Sequence, residues 1–393
     1  MKSTGVILVL IILFFSLTEF GADIYLPSFP ALAQDFGKSA TDIKLTLTLY
    51  LLGVGITQIF YGTLSDRYRR KYISLIGLGI FIIGAILNYI SETFPLFFTS
   101  RIIQGAGLGA AAVIPFSVMR DLFDGVSLAR GISALNATGG IASIIAHVLG
   151  GYLQENYGWQ AGFLFLFIFG LLIFLLLLFF LKETIQAKDL KALQPASIRK
   201  NYSSYLTNAP YLLFLISGVC IYSIIVASQS VLPFLYEKGL RLSPEEFGMM
   251  TLIGGLSYFI GTLVNMLLVS SLGMNRMIQI GFIIGFLSAL LLLIGKFAVL
   301  FLLIPTSLIW FSLGLILPNV ITKALHFALR EVGTASAIIG ILFWIGSGVA
   351  TMIISWISAH NQVPLAIFCL VLLILSLVCY IFAEKRSPKR KSV

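Results

Sequence analysis

Residues 62–71 read Gly62-Thr-Leu-Ser-Asp66-Arg67-Tyr-Arg69-Arg70-Lys71, with five charged side chains in ten positions. Apolar runs flank this island, near 43–64 and 72–90. Each has the roughly 20 residues that a helix needs to cross a hydrocarbon core. A charged decapeptide between two such runs reads as a tight loop at a membrane surface. Working outward, the pattern repeats. Further apolar runs lie near 5–25, 95–119, 130–153 and 159–181, then near 210–235, 246–269, 275–295, 298–321, 332–356 and 363–383. The longest polar connection, Lys182 to Ala209, divides the runs six and six. The expected fold is therefore all-α and integral to the membrane, with twelve transmembrane helices in two six-helix bundles. The bundles would occupy residues 1–181 and 210–384, joined by a linker at 182–209 and followed by a basic tail at 385–393.

Composition agrees with this reading. Of 393 residues, 59% are hydrophobic and 11% charged, where a soluble chain carries roughly 25% charged residues. This excludes an ordinary cytosolic enzyme, a nucleic-acid binder and a disordered protein. The first 22 residues pair Lys2 with an apolar stretch, as a signal peptide would, but no small-residue cleavage site follows, so the stretch is read as span 1. Cys220, Cys369 and Cys379 lie inside apolar runs with no metal spacing and read as packing residues.

The net charge of +10 becomes an orientation. With the N-terminus in the cytoplasm, the outer loops hold only Lys38, Lys44, Lys238, Arg241 and Lys296 among 26 Lys and Arg, and Arg101 falls inside a span. The others collect on the inner side, including Lys188, Lys191, Arg199 and Lys200 of the linker, Lys323, Arg330, and Lys389, Arg390 and Lys391 of the tail. Positive-inside asymmetry predicts both termini in the cytoplasm and leaves no basic face for nucleic acid. Asn136 and Asn201 match the glycosylation pattern but lie in a span and on the inner side.

Nearly all sixteen acidic residues lie in loops or at span ends. Glu19 and Asp23 are the exceptions, and ionisable groups at membrane depth are functional candidates. Four residues apart, they share one helical face, and their mutual repulsion favours keeping a proton on one of them. A rise of about 1.5 Å per residue sets Glu19 and Asp23 at about 21 and 27 Å from the inner edge. The same count sets Arg101 about 9 Å below the outer edge and His147 about 25 Å from the inner edge. All four belong to the outer half of the first bundle. Arg101 keeps its charge and needs a counter-ion, expected to be Asp23 or Glu19. His147 either switches protonation near neutral pH or hydrogen-bonds a neighbouring helix. Gln104, one turn from Arg101, could meet a substrate. The second half offers Tyr222, Gln229, Tyr258, Asn265, Trp310, Asn319 and Trp344 as polar or aromatic surface. Clusters such as Gly105-Ala-Gly107-Leu-Gly109 let helices approach closely in lipid.

Several of these motifs resemble one family. Gly62-x-Leu64-Ser-Asp66-Arg67-x-x-Arg70-Lys71 resembles the loop 2–3 signature of the major facilitator superfamily, and Arg101-Ile-Ile-Gln104-Gly105-x-Gly107 its span 4 signature. Asp23-Ile-Tyr25-Leu26-Pro27-Ser-Phe-Pro30, with Gly150-Gly151 and Gly158-Trp159, is similar to the Bcr/CflA group of drug:proton antiporters. The chain departs from the pattern twice. Arg69 stands where the loop signature usually has Gly, and His147 where a span 5 antiporter signature has Pro.

The resemblance implies the major facilitator fold and a monomer that exports a small, partly apolar molecule, such as a drug, siderophore or metabolite, in exchange for protons. It implies a proton-transfer role for Arg101, which the residues themselves extend to Asp23 and Glu19 as proton-coupling carboxylates and to Tyr25, Gln104 and His147 as expected substrate contacts. It also implies a gate at Gly62, Asp66, Arg67 and Arg70, with Asp66 paired to Arg120. The alternatives are a proton symporter or facilitative importer of a nutrient and, more remotely, a non-transporting sensor or assembly subunit. No Walker-type phosphate loop, catalytic constellation, cofactor motif or metal spacing is present, so no enzymatic activity, cofactor or metal is expected. The partners expected are the substrate, protons and the bilayer.

Overall fold

The structure, a computed structural model, describes residues 2–185, 205, 207–327, 332–357 and 360–387. Twelve of its helices are long and apolar enough to cross a membrane. They are α1 (Lys2–Asp23), α2 (Ala40–Tyr68), α3 (Arg70–Tyr89), α4 (Phe94–Leu122), α5 (Gly125–Tyr157), α6 (Trp159–Phe180), α7 (Ala209–Pro233), α8 (Pro244–Leu272), α9 (Met274–Ile294), α10 (Val299–Leu325), α11 (Val332–Ser355) and α12 (Val363–Arg386). After α1 the chain turns through a 3₁₀ segment, Leu26–Ser28, into a short helix, Phe29–Asp35, and α7 ends in a π-helix, Phe234–Gly239. Residues 186–204 and 206 of the expected linker, with Lys188, Lys191, Arg199, Lys200 and Asn201, lie outside the described residues, as do Arg330 and the tail residues Lys389, Arg390 and Lys391.

Several helices outrun their apolar stretches because polar chemistry extends them past the hydrocarbon. Capping boxes start two of them. Ser39 and Asp42 satisfy each other's backbone N–H groups at the start of α2, as Ser243 and Glu246 do for α8. Three junctions consist of a single residue: Arg69 between α2 and α3, Gly158 between α5 and α6, and Gly273 between α8 and α9. All three have positive φ, at 113°, 81° and 80°.

One apolar core is built mainly from α1–α6 and the other from α7–α12, with Val226, Phe234 and Trp344 reaching into the first. Within the first, glycine lets backbones meet. A Cβ on Gly105 would lie 2.3 Å from the Tyr50 carbonyl oxygen, and one on Gly107 2.3 Å from the Phe81 nitrogen. The two sets of helices touch along two crossings. α2 meets α11, where Thr41 Oγ1 donates to the Ser355 carbonyl at 2.8 Å and Lys44 Nζ to the Ile354 carbonyl at 3.3 Å. α5 meets α8, where a Cβ on Gly151 would lie 2.5 Å from the Pro244 oxygen, and one on Gly248 2.9 Å from the His147 oxygen. Both crossings continue deeper, where a Cβ on Gly55 would lie 2.7 Å from Ile345 and one on Gly255 2.6 Å from Ile144; the end bearing residues 39–44, 151, 243–248 and 354–355 is called the closed end below. Lys44 is no loop residue, as the orientation count had it. It lies on α2 and is only 3% exposed, because the carbonyls that end α11 give its ammonium a polar partner.

Candidate functional site

The Asp-x-Tyr-Leu-Pro stretch shapes the closed end of the first core. Pro27 is the second residue of the 3₁₀ turn, and the chain folds back so that Tyr25, Leu26 and Phe29 are fully buried. Trp159 Nε1 donates to Asp35 Oδ2 at 2.8 Å and pins the short helix to α6. Tyr25 packs on Phe29, Phe97 and Phe163 with ring centroids 5.1–6.5 Å apart, and its hydroxyl lies 3.1 Å from Thr46 Oγ1. This wall fixes the C-terminal turn of α1, on which Asp23 sits.

Asp23 is 5% exposed. Its Oδ2 accepts from Ser143 Oγ of α5 and lies 3.9 Å from His147 Nδ1. The imidazole is fully buried, and Nδ1 lies 2.8 Å from the Ser143 carbonyl. A carbonyl only accepts, so Nδ1 carries the hydrogen, and Nε2 is left buried without a partner. One turn earlier on α1, Glu19 lies along α5, with Oε1 3.7 Å from where a Cβ on Gly139 would be. The level-matching of Asp23 and His147 in the sequence thus corresponds to direct proximity.

Arg101 is resolved differently. Among the described residues no carboxylate lies within 4.0 Å of its guanidinium, so the expected pairing with Asp23 or Glu19 is absent. Instead Nη2 donates to the Gly21 carbonyl at 3.0 Å, and Nη1 donates to Gln104 Oε1. The guanidinium carbon sits 4.0 and 4.5 Å from the Tyr25 and Tyr50 ring centroids. A flat, weakly hydrated cation is suited to a carbonyl and two π-faces. Tyr50 in turn donates to the Thr18 carbonyl at 2.6 Å. Gln104 also accepts from Asn88 Nδ2 at 3.2 Å. Tyr25, Gln104 and Arg101 therefore form a fully buried lock between α1, α2, α3 and α4.

Burial of this set fits a membrane-spanning bundle, and comparison with known proteins gives its family. A sequence profile described as Major Facilitator Superfamily matches residues 9–351. The chain belongs to the Major Facilitator Superfamily. Its fold, too, is similar to that of transporters in this superfamily. These include the Escherichia coli xylose transporter XylE in a partially occluded inward-open conformation (TM-score 0.73, 15% identity, 100% of both chains). A bacterial homologue of the human lysosomal transporter Spinster, inward-facing and occupied, is another (TM-score 0.77, 13% identity, 98% of both chains). In sequence the chain is similar to "Multidrug resistance protein MdtL" of Escherichia coli, at 31% identity over 242 residues, or 60% of each chain. The match spans about three fifths of that relative's length. Members of this superfamily are membrane transporters rather than enzymes, and the chain is a multi-pass membrane protein.

The superfamily's loop 2–3 signature forms a charge cluster at the other end of α2. Arg70 is its centre, with Nη1 2.5 Å from Asp66 Oδ1 and Nε 3.0 Å from Asp121 Oδ2. The guanidinium meeting Asp66 is thus Arg70's rather than that of Arg120, which donates to Ser117 Oγ at 3.0 Å. The reason is local: residues 66 and 70 flank the single-residue junction, four positions apart in the chain. Glu183 completes the cluster by accepting from the backbone N–H groups of Arg70 and Lys71 at 3.1 and 3.3 Å. It caps α3, where an anion is favoured. Sequence reasoning missed Glu183 and Asp121, whose partners are more than fifty residues away. In the second half, Trp344 reaches into the first core and Tyr222 packs against both, while other polar residues bond within their own core. Trp310 Nε1 donates to Ser228 Oγ at 3.3 Å, Asn319 Nδ2 to Asn265 Oδ1 at 2.6 Å, and Tyr222 stacks on Phe343.

Proposed function

We propose that this chain is a proton-coupled exporter of small, partly apolar molecules, such as drugs, siderophores or metabolites. It would exchange them for protons across the bacterial cytoplasmic membrane. The observation that carries the reading is Asp23, a buried carboxylate at membrane depth with a hydroxyl and an imidazole beside it and, among the described residues, no Lys or Arg within 4.0 Å. A carboxylate so placed is costly when ionised and unoccupied by a counter-ion, which suits a group that gains and loses a proton during a cycle. Glu19, on the same face of α1, continues the polar path inward. The similarity to multidrug resistance proteins named MdtL supports the substrate class.

In this reading the two bundles, 1–181 and 210–384, rock about a central cavity, with both termini in the cytoplasm and the closed end outward. Arg101 acts by holding α1 against α4, so that Asp23 keeps its depth while the bundles move. Tyr25, Gln104 and His147 shape the neighbouring wall. Gly62, Asp66, Arg67, Arg70 and Arg120 form the inner gate, where ion pairs bias the conformational equilibrium. One proton crossing 100 mV supplies about 2.3 kcal/mol, enough for a several-tens-fold gradient.

The test is flux in proteoliposomes under an imposed pH gradient. Substrate addition is expected to release protons, and Asp23→Asn is expected to abolish coupled efflux while the protein still inserts. Uptake that follows inward proton flow would replace this reading with symport, and undiminished proton-driven efflux by Asp23→Asn would remove Asp23 from the coupling site.

A further inference from the structure

We propose that His147 is a positioning residue that links the proton site to the α5–α8 crossing, such that a proton gained at Nε2 favours opening of the closed end. This rests on the proton-coupled reading and adds to it the element through which protonation reaches the second half. Three observations meet at one side chain. The Nδ1–H is committed to the Ser143 carbonyl at 2.8 Å. Nε2 is buried with no partner. And the residue is clamped by the opposite half, with its backbone oxygen against Gly248 and its ring 6.5 Å from the Phe247 ring at 66°.

The sign follows from which neighbours move. Asp23 and Glu19 on α1 and Arg101 on α4 belong to the same half as His147, so they accompany it whether or not the crossing opens. α6 carries no ionisable side chain, and neither does the Leu26–Ser28 turn. From the opposite half, α8 brings Phe247 and Gly248. Its own acidic residues, Glu245 and Glu246, lie in the exposed first turn, where Glu246 already accepts from the Ser243 N–H. In the closed arrangement an added proton would therefore create a buried N–H with no acceptor. An unpaired buried donor on a cation is costly. Separation of α5 from α8 exposes Nε2 to water and removes that cost. Proton affinity is then higher in the open arrangement, and by linkage protonation drives opening.

The experiment uses the full chain in lipid nanodiscs without substrate. Spin labels are placed at Tyr152→Cys on α5 and Met249→Cys on α8, both surface positions (46% and 49% exposed) beside the crossing. The native cysteines are buried. Pulsed-dipolar distance distributions are recorded from pH 8 to pH 5.5. The wild-type open-to-closed ratio is expected to rise with acidity, by at most about tenfold per pH unit for one linked proton. His147→Gln and His147→Asn are expected to flatten the profile, and Asp23→Asn to shift its midpoint while leaving a slope. A flat wild-type profile overturns the proposal, as does an unchanged slope in either His147 variant. A proton-sensitive crossing in a protein that releases no protons on substrate addition would instead sink the exporter reading and leave this inference standing.

Discussion

Arg69 and Gly273 hold the same position in the two halves. Each is the single residue between two long helices, at the α2–α3 and α8–α9 junctions, with φ 113° and 80° and ψ 140° and 153°. The match between the two junctions is a repetition of backbone geometry, in which one half uses glycine and the other an arginine strained by its Cβ.

Arg69→Gly is expected to relieve that strain and stabilise the protein by about 1 kcal/mol. Gly273→Ala is expected to destabilise it by a similar amount. Thermal unfolding of the two variants in the same detergent checks both signs.

Close backbone contacts give a second expectation. Gly105→Ala forces a methyl to within 2.3 Å of the Tyr50 carbonyl oxygen and is expected to cost about 1–3 kcal/mol. Gly79→Ala, with nothing within 4 Å, is expected to be neutral or to stabilise by about 0.5 kcal/mol. Fluorescence-detected size exclusion after heating separates the two.

The absence, among the described residues, of a carboxylate within 4.0 Å of Arg101 makes the next expectation asymmetric. Breaking a buried ion pair costs about 3–5 kcal/mol, whereas Asp23→Asn, which keeps an acceptor for Ser143, is expected to cost at most about 1 kcal/mol. Arg101→Lys loses the flat stack between Tyr25 and Tyr50 and is expected to cost about 2 kcal/mol. A large loss of thermal stability in Asp23→Asn would mean that the carboxylate does balance the guanidinium.

At the α2–α11 crossing, Lys44→Met removes the donor to the Ile354 carbonyl. One such hydrogen bond contributes about 0.5–1.5 kcal/mol, so the closed end should open roughly 2–10-fold more often. Cysteine at Thr351, a fully buried position on α11, should then react correspondingly faster with a membrane-impermeant maleimide. An unchanged rate would show that Lys44 does not hold the crossing.

Much of the architecture was legible because a bilayer imposes a length and a polarity on every span. The apolar runs became twelve long helices with their order intact, though α2, α4, α5 and α10 extend beyond the expected ends. The ends moved because caps such as Ser39–Asp42 obey hydrogen-bond geometry rather than hydropathy. At the site, level-matching from the rise per residue brought Asp23 and His147 together correctly. It could not say which way Arg101 turns, since Gly21, Tyr25 and Tyr50 offer a carbonyl and two rings at the same depth as the two carboxylates. Nor could it see Glu183 capping α3, because no local pattern connects residues 70 and 183.

The sequence by itself determined that this chain crosses a membrane repeatedly and that its few intramembrane ionisable residues share one level, since hydrophobic length and helical rise are local properties. Only the tertiary structure decided who partners whom. It set Arg101 between tyrosines, Lys44 against the end of α11, and His147 under α8 with one nitrogen unsatisfied. Those choices depend on how helices distant in sequence cross, and a backbone approach allowed by one glycine sets them more firmly than the charge of the side chains involved.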